Sequence, residues 1–442
     1  MADGTSTISG TCPVLQDDPY APEVLADPYP FLARLREAGP AVWLEKHGVH
    51  AFGRDAEVRA ILDDWQTFIS GAGVGPVDFA KDAPTWWRPG ILEVDPPIHT
   101  RMRSAMSAVI SPARLRPLRQ GFEDYARELF DEVLGAEGAV GGAAASGTDA
   151  GTRQTAPGTP APGAPGVPTA GSRTVDLDAF ELAKRFTLRV FGDAVGVPRE
   201  GRDPYLVLQG AMNFSRFGPM NEVAQHHMDA ADGVMEWVMN ACERSNLAPG
   251  GLGSLIWDHA DSGDILPEEA TLLVRAMLSA GLDTTILAIA NTLVALSQEP
   301  EQYARLRRDP SLVKYAIDEA FRVEAPFQSF FRKTSREVEI GGITLPEGVK
   351  LIVFPGAANR DPEKWGPDAD RFDLDRDASG HLTFGLGIHM CVGQPISRME
   401  MDAFFAEFVR RVSAFEPTAP PTPYIHTTLR SFEQVPLRVT VG

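Results

Sequence analysis

Apolar residues recur at helical spacing over much of the chain. Leu115, Leu118, Phe122, Tyr125, Leu129 and Val133 form one stripe after Ser111-Pro112, which predicts an amphipathic helix ending near Gly135. Similar patterns predict helices over 31–38, over 180–195, from Tyr205 to the aromatic Phe214-Ser215-Arg216-Phe217-Gly218-Pro219, and from Gln394 onward. The most apolar stretch, 271–296, follows Pro267-Glu268-Glu269, whose acids suit a helix N-terminus. Arg275 and Asp283 interrupt it, and charges near the centre of a membrane span are costly, so it reads as a buried core helix. Another helix runs from Asp309-Pro310 to before Pro326. Period-two alternation marks a hairpin over 41–52 and strands at 338–340 and 349–353. Asn246-Leu247-Ala248-Pro249-Gly250-Gly251 reads as a turn. The sum is a mainly α fold with small β-sheets near the ends.

Three stretches break this pattern. Residues 1–24 read as a flexible tail, and 71–89, with three Gly, three Pro and Trp86-Trp87, as a loop of the kind that carries binding residues. Over 136–173 the composition shifts to Gly, Ala, Pro, Ser and Thr, which cannot bury a core face, so this segment is expected to be disordered. It is taken as a surface insertion in a single domain spanning 25–442; a linker between two domains is the competing view. The formal net charge of −19 argues against nucleic acid and anionic membranes as partners. The 3 cysteines, Cys12, Cys242 and Cys391, are too far apart for a zinc or redox motif or a disulfide framework. The first residues lack a basic and apolar leader, so a cytoplasmic protein is expected.

The chemistry concentrates in Phe384-Gly385-Leu386-Gly387-Ile388-His389-Met390-Cys391-Val392-Gly393, just before the helix from Gln394. Its glycines permit turns and close approaches that a side chain would obstruct. A thiolate at Cys391 would be favoured by peptide N–H groups and the helix N-terminus. Phe384 could cover it from water, and His389 could donate to a nearby carboxylate. Two further clusters stand out. His99 and Arg103 lie at i and i+4, able to clamp carboxylates. Asp283, Thr284 and Thr285 contradict an apolar helix, and a Thr hydroxyl there can bond back to the preceding turn.

The cysteine stretch resembles the haem-binding signature of the cytochrome P450 family, and the other motifs follow in that family's order from Tyr29 to Val441. The resemblance implies the P450 fold, a helical prism with small sheets, with haem b (iron protoporphyrin IX) buried between the long central helix and the cysteine loop. Cys391 would be the iron ligand, in a loop shaped by Phe384, Gly385 and Gly393. His99, Arg103, Arg332 and His389 would hold the propionates. Asp283 and Thr284 would be catalytic, delivering protons during dioxygen activation. Glu319 and Arg322 would form a structural trio with Arg371, steadying the cysteine loop.

The chain is also similar to a bacterial subgroup of soluble P450 oxidases that demethylate para-methoxybenzoate, through Trp87-Arg88-Pro89, Ile91-Leu92-Glu93, Phe217-Gly218-Pro219, Leu273-Val274-Arg275 and Phe330-Phe331-Arg332. This implies a small aromatic pocket lined by Leu92, Phe214, Phe217, Ala280, Phe327 and Phe330, with Arg88, Arg275 and Ser279 receiving a carboxylate. Ala276 stands where a serine would help, and Arg216 and Asn213 could compensate. The implied reaction is O-demethylation of a methoxybenzoate-type acid, using O2 and two electrons. A neutral methoxyphenol such as guaiacol is the alternative substrate. A peroxide-using or non-oxygenase haem-thiolate protein is the alternative class. No flavin or iron–sulfur motif occurs in the chain, so the resemblance implies a [2Fe–2S] ferredoxin with an NAD(P)H-dependent flavin reductase. Arg101, Arg114, Arg116, Arg119 and Arg398 would form the docking face of a monomer.

Overall fold

The computed structural model describes residues 10–82, 89–135 and 173–442. Arg88 and the expected insertion, apart from Arg173, lie outside the described residues.

One helix, Pro267–Ser297, organises the core. An 18-residue window within it reaches a mean hydropathy of 1.6, apolar enough to cross a membrane, yet 72% of that window is buried within the protein. Leu273, Leu278, Leu282, Ile289 and Leu293 have no exposed surface. It starts where Pro267 fills a first-turn position that needs no N–H donor, and the Glu269 carboxylate accepts from the Leu266 amide at 2.9 Å. The helices Ala179–Val195, Arg202–Ser215, Leu252–Asp261, Val313–Val323 and Gln394–Arg411 pack around it. Phe404 joins two of these layers by edge-on contacts with Phe130 at 5.3 Å and Phe186 at 5.5 Å. Each such pair adds about 0.5–1.5 kcal/mol beyond the area it buries.

The sheets bring distant parts of the chain together. The largest has six strands in the spatial order Val14–Leu15, Val42–Leu44, Val49–Phe52, Lys350–Val353, Phe330–Thr334, Phe68–Ile69. The expected hairpin is present, with Val42 opposite Ala51, and its second strand runs parallel to Lys350–Val353. Phe31, Leu32 and Leu35, from the helix Tyr29–Ala38, close one face of this sheet against Phe331 and Phe354. A second sheet places Pro436–Val441 between Val412–Pro417 and Arg173–Asp178.

Three boundaries differ from expectation. Regular structure begins before residue 24: Val14–Leu15 pairs with Trp43 and Leu44, and Pro22–Ala26 is helical. Arg173 is not part of an irregular segment, because it pairs with Val441 in the second sheet. The helix expected from Asp309 begins as a 3-10 turn at Pro310–Leu312, after which Val313–Val323 is α-helical.

Candidate active site

The cysteine loop lies against the central helix across an internal cavity of about 260 Å³. Gly385 and Gly387 take the left-handed region, at φ 70° and 68°. A side chain at Gly387 would also sit 2.8 Å from the Leu62 carbonyl, so only glycine lets the loop pass there. The Cys391 amide donates to the Phe384 carbonyl at 2.7 Å, closing the loop. Cys391 then faces the cavity at the start of the helix Gln394–Arg411. Burial raises its thiol, while the Gly393 and Gln394 amides and the Arg103 guanidinium favour the thiolate.

At one edge of the cavity His99, Arg103, Arg332 and His389 converge. The His99 and His389 rings meet edge-on at 4.4 Å. Nε2 of each is buried without a hydrogen-bond partner among the described residues, although Asp95 Oδ1 lies 3.7 Å from His389. Arg332 is 3% exposed and donates to its neighbour, the Phe331 carbonyl. Burial, with His389 and Arg103 close by, lowers His99 to about 4, and burial lowers Arg332 to about 10 despite Asp95. A crowd of donors that depresses its own charge is built for an anionic guest. Haem b fits that requirement: its two carboxylates would be held by these donors, and Cys391, on the same cavity, would supply the thiolate ligand for its iron.

Across from the cysteine, Thr284 and Thr285 line the cavity and Thr284 Oγ1 donates to the Ala280 carbonyl at 2.5 Å. Asp283 does not line it; its carboxylate turns toward the helix Arg202–Ser215. At the far end stand Leu92, Phe214, Phe217, Ala280, Phe327 and Phe330. Phe327 stacks on Phe330 at 4.1 Å and meets Phe214 edge-on at 5.5 Å. Arg275 and Ser279 reach the same space, with the Ser279 hydroxyl bonded back to the Arg275 carbonyl. Arg216 pairs with the buried Glu93 at 2.7 Å, and both line the cavity. Nothing in the sequence marked Glu93 as the partner of Arg216, because 123 residues separate them.

The structural trio needs one correction. Glu319 and Arg322, both fully buried, form a two-pronged pair with both bonds at 2.7 Å. The third member is Arg376, whose Nε lies 3.2 Å from Glu319. Arg371 offers only its carbonyl to Arg322; its side chain is 73% exposed and 3.9 Å from Glu299. From Arg322 the network continues through the Asn359 carbonyl, and the Asn359 side chain accepts from the Leu382 amide and donates to the Thr383 hydroxyl. Those bonds anchor the residues immediately before Phe384, while the Phe384 ring packs on Phe321 at 4.7 Å.

The family model described as Cytochrome P450 matches residues 212–440. The chain is 43% identical over 431 residues to cytochrome P450 CYP199A2 of Rhodopseudomonas palustris, covering 97% of this chain and 95% of that protein. It is 29% identical to the 6-deoxyerythronolide B hydroxylase of Saccharopolyspora erythraea, covering 90% of this chain and 92% of that one. Among solved structures, cytochrome P450 CYP109Q5 from Chondromyces apiculatus superposes with a TM-score of 0.73 at 27% identity, covering 96% of this chain and 98% of that one. With agreement of this extent, in sequence and in fold, the chain belongs to the cytochrome P450 family and is a haem-thiolate monooxygenase.

Proposed function

We propose that this monooxygenase oxidises a small aromatic substrate, removing the methyl group of a methoxybenzoate-type acid. The observation that carries the reading is the far end of the cavity: four phenylalanines beside Arg275 and the Arg216–Glu93 pair. The rings would hold a planar ring by face and edge contacts. Arg275, in a nearly dry setting, would supply a charge-assisted bond to a carboxylate, which outweighs the ring contacts in choosing an acid. Arg216 pairs with Glu93 at the same end of the cavity, and Arg275 faces the space beside them. Ala276 in the same wall adds no hydroxyl, and this favours the second reading, a neutral methoxyphenol such as guaiacol.

Cys391 would bind the iron, while His99, Arg103, Arg332 and His389 would bind the propionates. When bound, haem supplies the activation of dioxygen. Thr284 would pass protons inward, and Asp283 would replenish them. One oxygen atom enters the methoxy C–H bond, and the other leaves as water with two protons and two electrons. The resulting hemiacetal collapses to a phenol and formaldehyde. The electrons would come from a [2Fe–2S] ferredoxin and its NAD(P)H-dependent reductase. Arg114, Arg116 and Arg119 are exposed, as is Met390 at 41%, and they supply a face for it. Arg101, Arg119 and Arg398 contribute less than their charges suggest, since Glu269, Glu123 and Asp318 pair with them. Residues 25–442 would act as a single domain, in a cytoplasmic monomer.

The test is an optical titration of the ferric protein with 4-methoxybenzoate, 4-methoxytoluene and guaiacol in parallel. A low-to-high-spin shift with the acid alone is the expected result. A shift only with the neutral compounds would discard the carboxylate contact and favour the second reading. Turnover driven by hydrogen peroxide, with no dependence on electron-transfer proteins, would replace the monooxygenase cycle with a peroxygenase one.

A further inference from the structure

The central helix and its neighbours fit by two reciprocal insertions. At Gly281 a Cβ would lie 2.2 Å from Cζ of Phe191, so a ring from the helix Ala179–Val195 occupies the space that glycine leaves. Two residues on, the relation reverses. A Cβ at Gly210, in the helix Arg202–Ser215, would lie 2.0 Å from Asp283 Oδ2 and 2.2 Å from its Cγ. The carboxyl group fills the place of the missing side chain. A glycine inside a helix costs about 0.5–1 kcal/mol relative to alanine, so its presence in mid-helix calls for a contact that needs the gap. Asp283 is that contact.

The surroundings of the seat are nearly uncharged. The helix Arg202–Ser215 presents Gly210 itself, and the C-terminal loop brings Tyr424, whose own ionisation Asp283 opposes. Behind Tyr424 lie His227 and His426, with ring centroids 5.6 and 5.5 Å from it. Burial alone pushes Asp283 well above the ordinary carboxylate range. Gly210 and Phe214 are spaced i and i+4 on one face of the helix, so the seat and one ring of the substrate wall belong to one element, with Phe217 in the turn just past its end.

We infer that Gly210 is a positioning residue for Asp283, its missing side chain forming a seat that keeps the acid's carboxyl outside the cavity while its neighbour Thr284 faces in. The inference rests on the proposed proton-delivering pair. In the proton step, Asp283 gives its proton to the Thr284 hydroxyl oxygen, directly or through one water. Thr284 passes its own proton into the cavity, and solvent reprotonates the carboxylate.

Infrared difference spectra of the ferric haem-loaded protein read the seat without turnover. A protonated-carboxyl C=O band at neutral pH, lost in Asp283→Asn, identifies the group. In Gly210→Ala that band is expected to shift, and the coupling of reductant use to product, measured with a surrogate ferredoxin and reductase, to fall about tenfold. Thermal melts complete a double-mutant cycle: the loss in Gly210→Ala is expected to be largely recovered by adding Asp283→Ala. A band unmoved in Gly210→Ala, or additive melting shifts, overturns the inference. If Gly210→Ala does not fold, folding of the double variant supports the seat, and failure of both overturns it. A shifted band together with unchanged coupling in Asp283→Asn would leave the seat standing and remove the proton-delivery role instead.

Discussion

Glu319 and Glu400 are both buried completely, and their surroundings treat them in opposite ways. Glu319 keeps two guanidinium partners, Arg322 and Arg376. Glu400 has no guanidinium partner among the described residues, and burial pushes it well above its ordinary value of 4.5, only partly opposed by the nearby Thr285 hydroxyl. The native protein therefore keeps a proton there that the unfolded chain releases once pH passes the mid-4s. With fewer protons bound in the unfolded state, stability falls as pH rises through that range. Glu400→Gln removes the dependence. Melts across pH are expected to show no difference from the parent below about pH 4 and a gain of about 1–2 kcal/mol near pH 7. Arg376→Ala is expected to cost about 2 kcal/mol and to weaken haem retention, since it removes one donor from buried Glu319. Arg371→Ala should stay within about 0.5 kcal/mol. Equal losses in chemical unfolding would contradict the corrected trio. The sequence could not choose between these arginines, since both follow an aspartate in one irregular stretch. Solvent exposure, set by the path of the loop, decides.

At the scale of elements, legibility followed packing. The helices Ala179–Val195, Pro267–Ser297 and Gln394–Arg411 were legible because each buries long apolar stretches, and the cysteine loop because its glycines fall where the backbone turns back. The short helices Glu222–Ala230 and Val234–Ala241 were not anticipated. At 9 and 8 residues, each spans little more than two turns, too short a run for its spacing to stand out in the sequence. The spacing of His99 and Arg103 on one helix was readable, whereas their convergence with Arg332 and His389 depends on how separate elements meet. Within the central helix, Thr284 draws its hydroxyl onto the Ala280 carbonyl, so that bond must open when the hydroxyl takes up a proton-relay role. Thr284→Ala is expected to leave haem loading and the melting temperature nearly unchanged while most reductant is consumed without product. Product yield per NAD(P)H measures this, and unchanged coupling would remove Thr284 from the relay.

For the whole molecule, the segment 136–172 offers a direct test of whether the chain works as one unit. Its flanks end side by side: Arg411 donates to the Gly135 carbonyl, and a Cβ at Gly135 would lie 2.8 Å from an Arg173 nitrogen. Replacing 136–172 with a short Gly/Ser bridge is therefore expected to preserve the optical spectrum, ligand-induced spin shift and melting temperature. Loss of haem binding on deletion would argue against the insertion reading.

The largest sheet imposes an order on the birth of the molecule. Val49–Phe52 finds its parallel neighbour only in Lys350–Val353, whose residues leave the ribosome roughly 300 positions later. At ordinary synthesis rates this is a wait of roughly 15–60 s, during which the N-terminal hairpin has an unpaired edge. A nascent chain with such an edge is a natural client for a chaperone that shields strands, and ribosomes stalled before residue 350 should carry that chain in a protease-sensitive state.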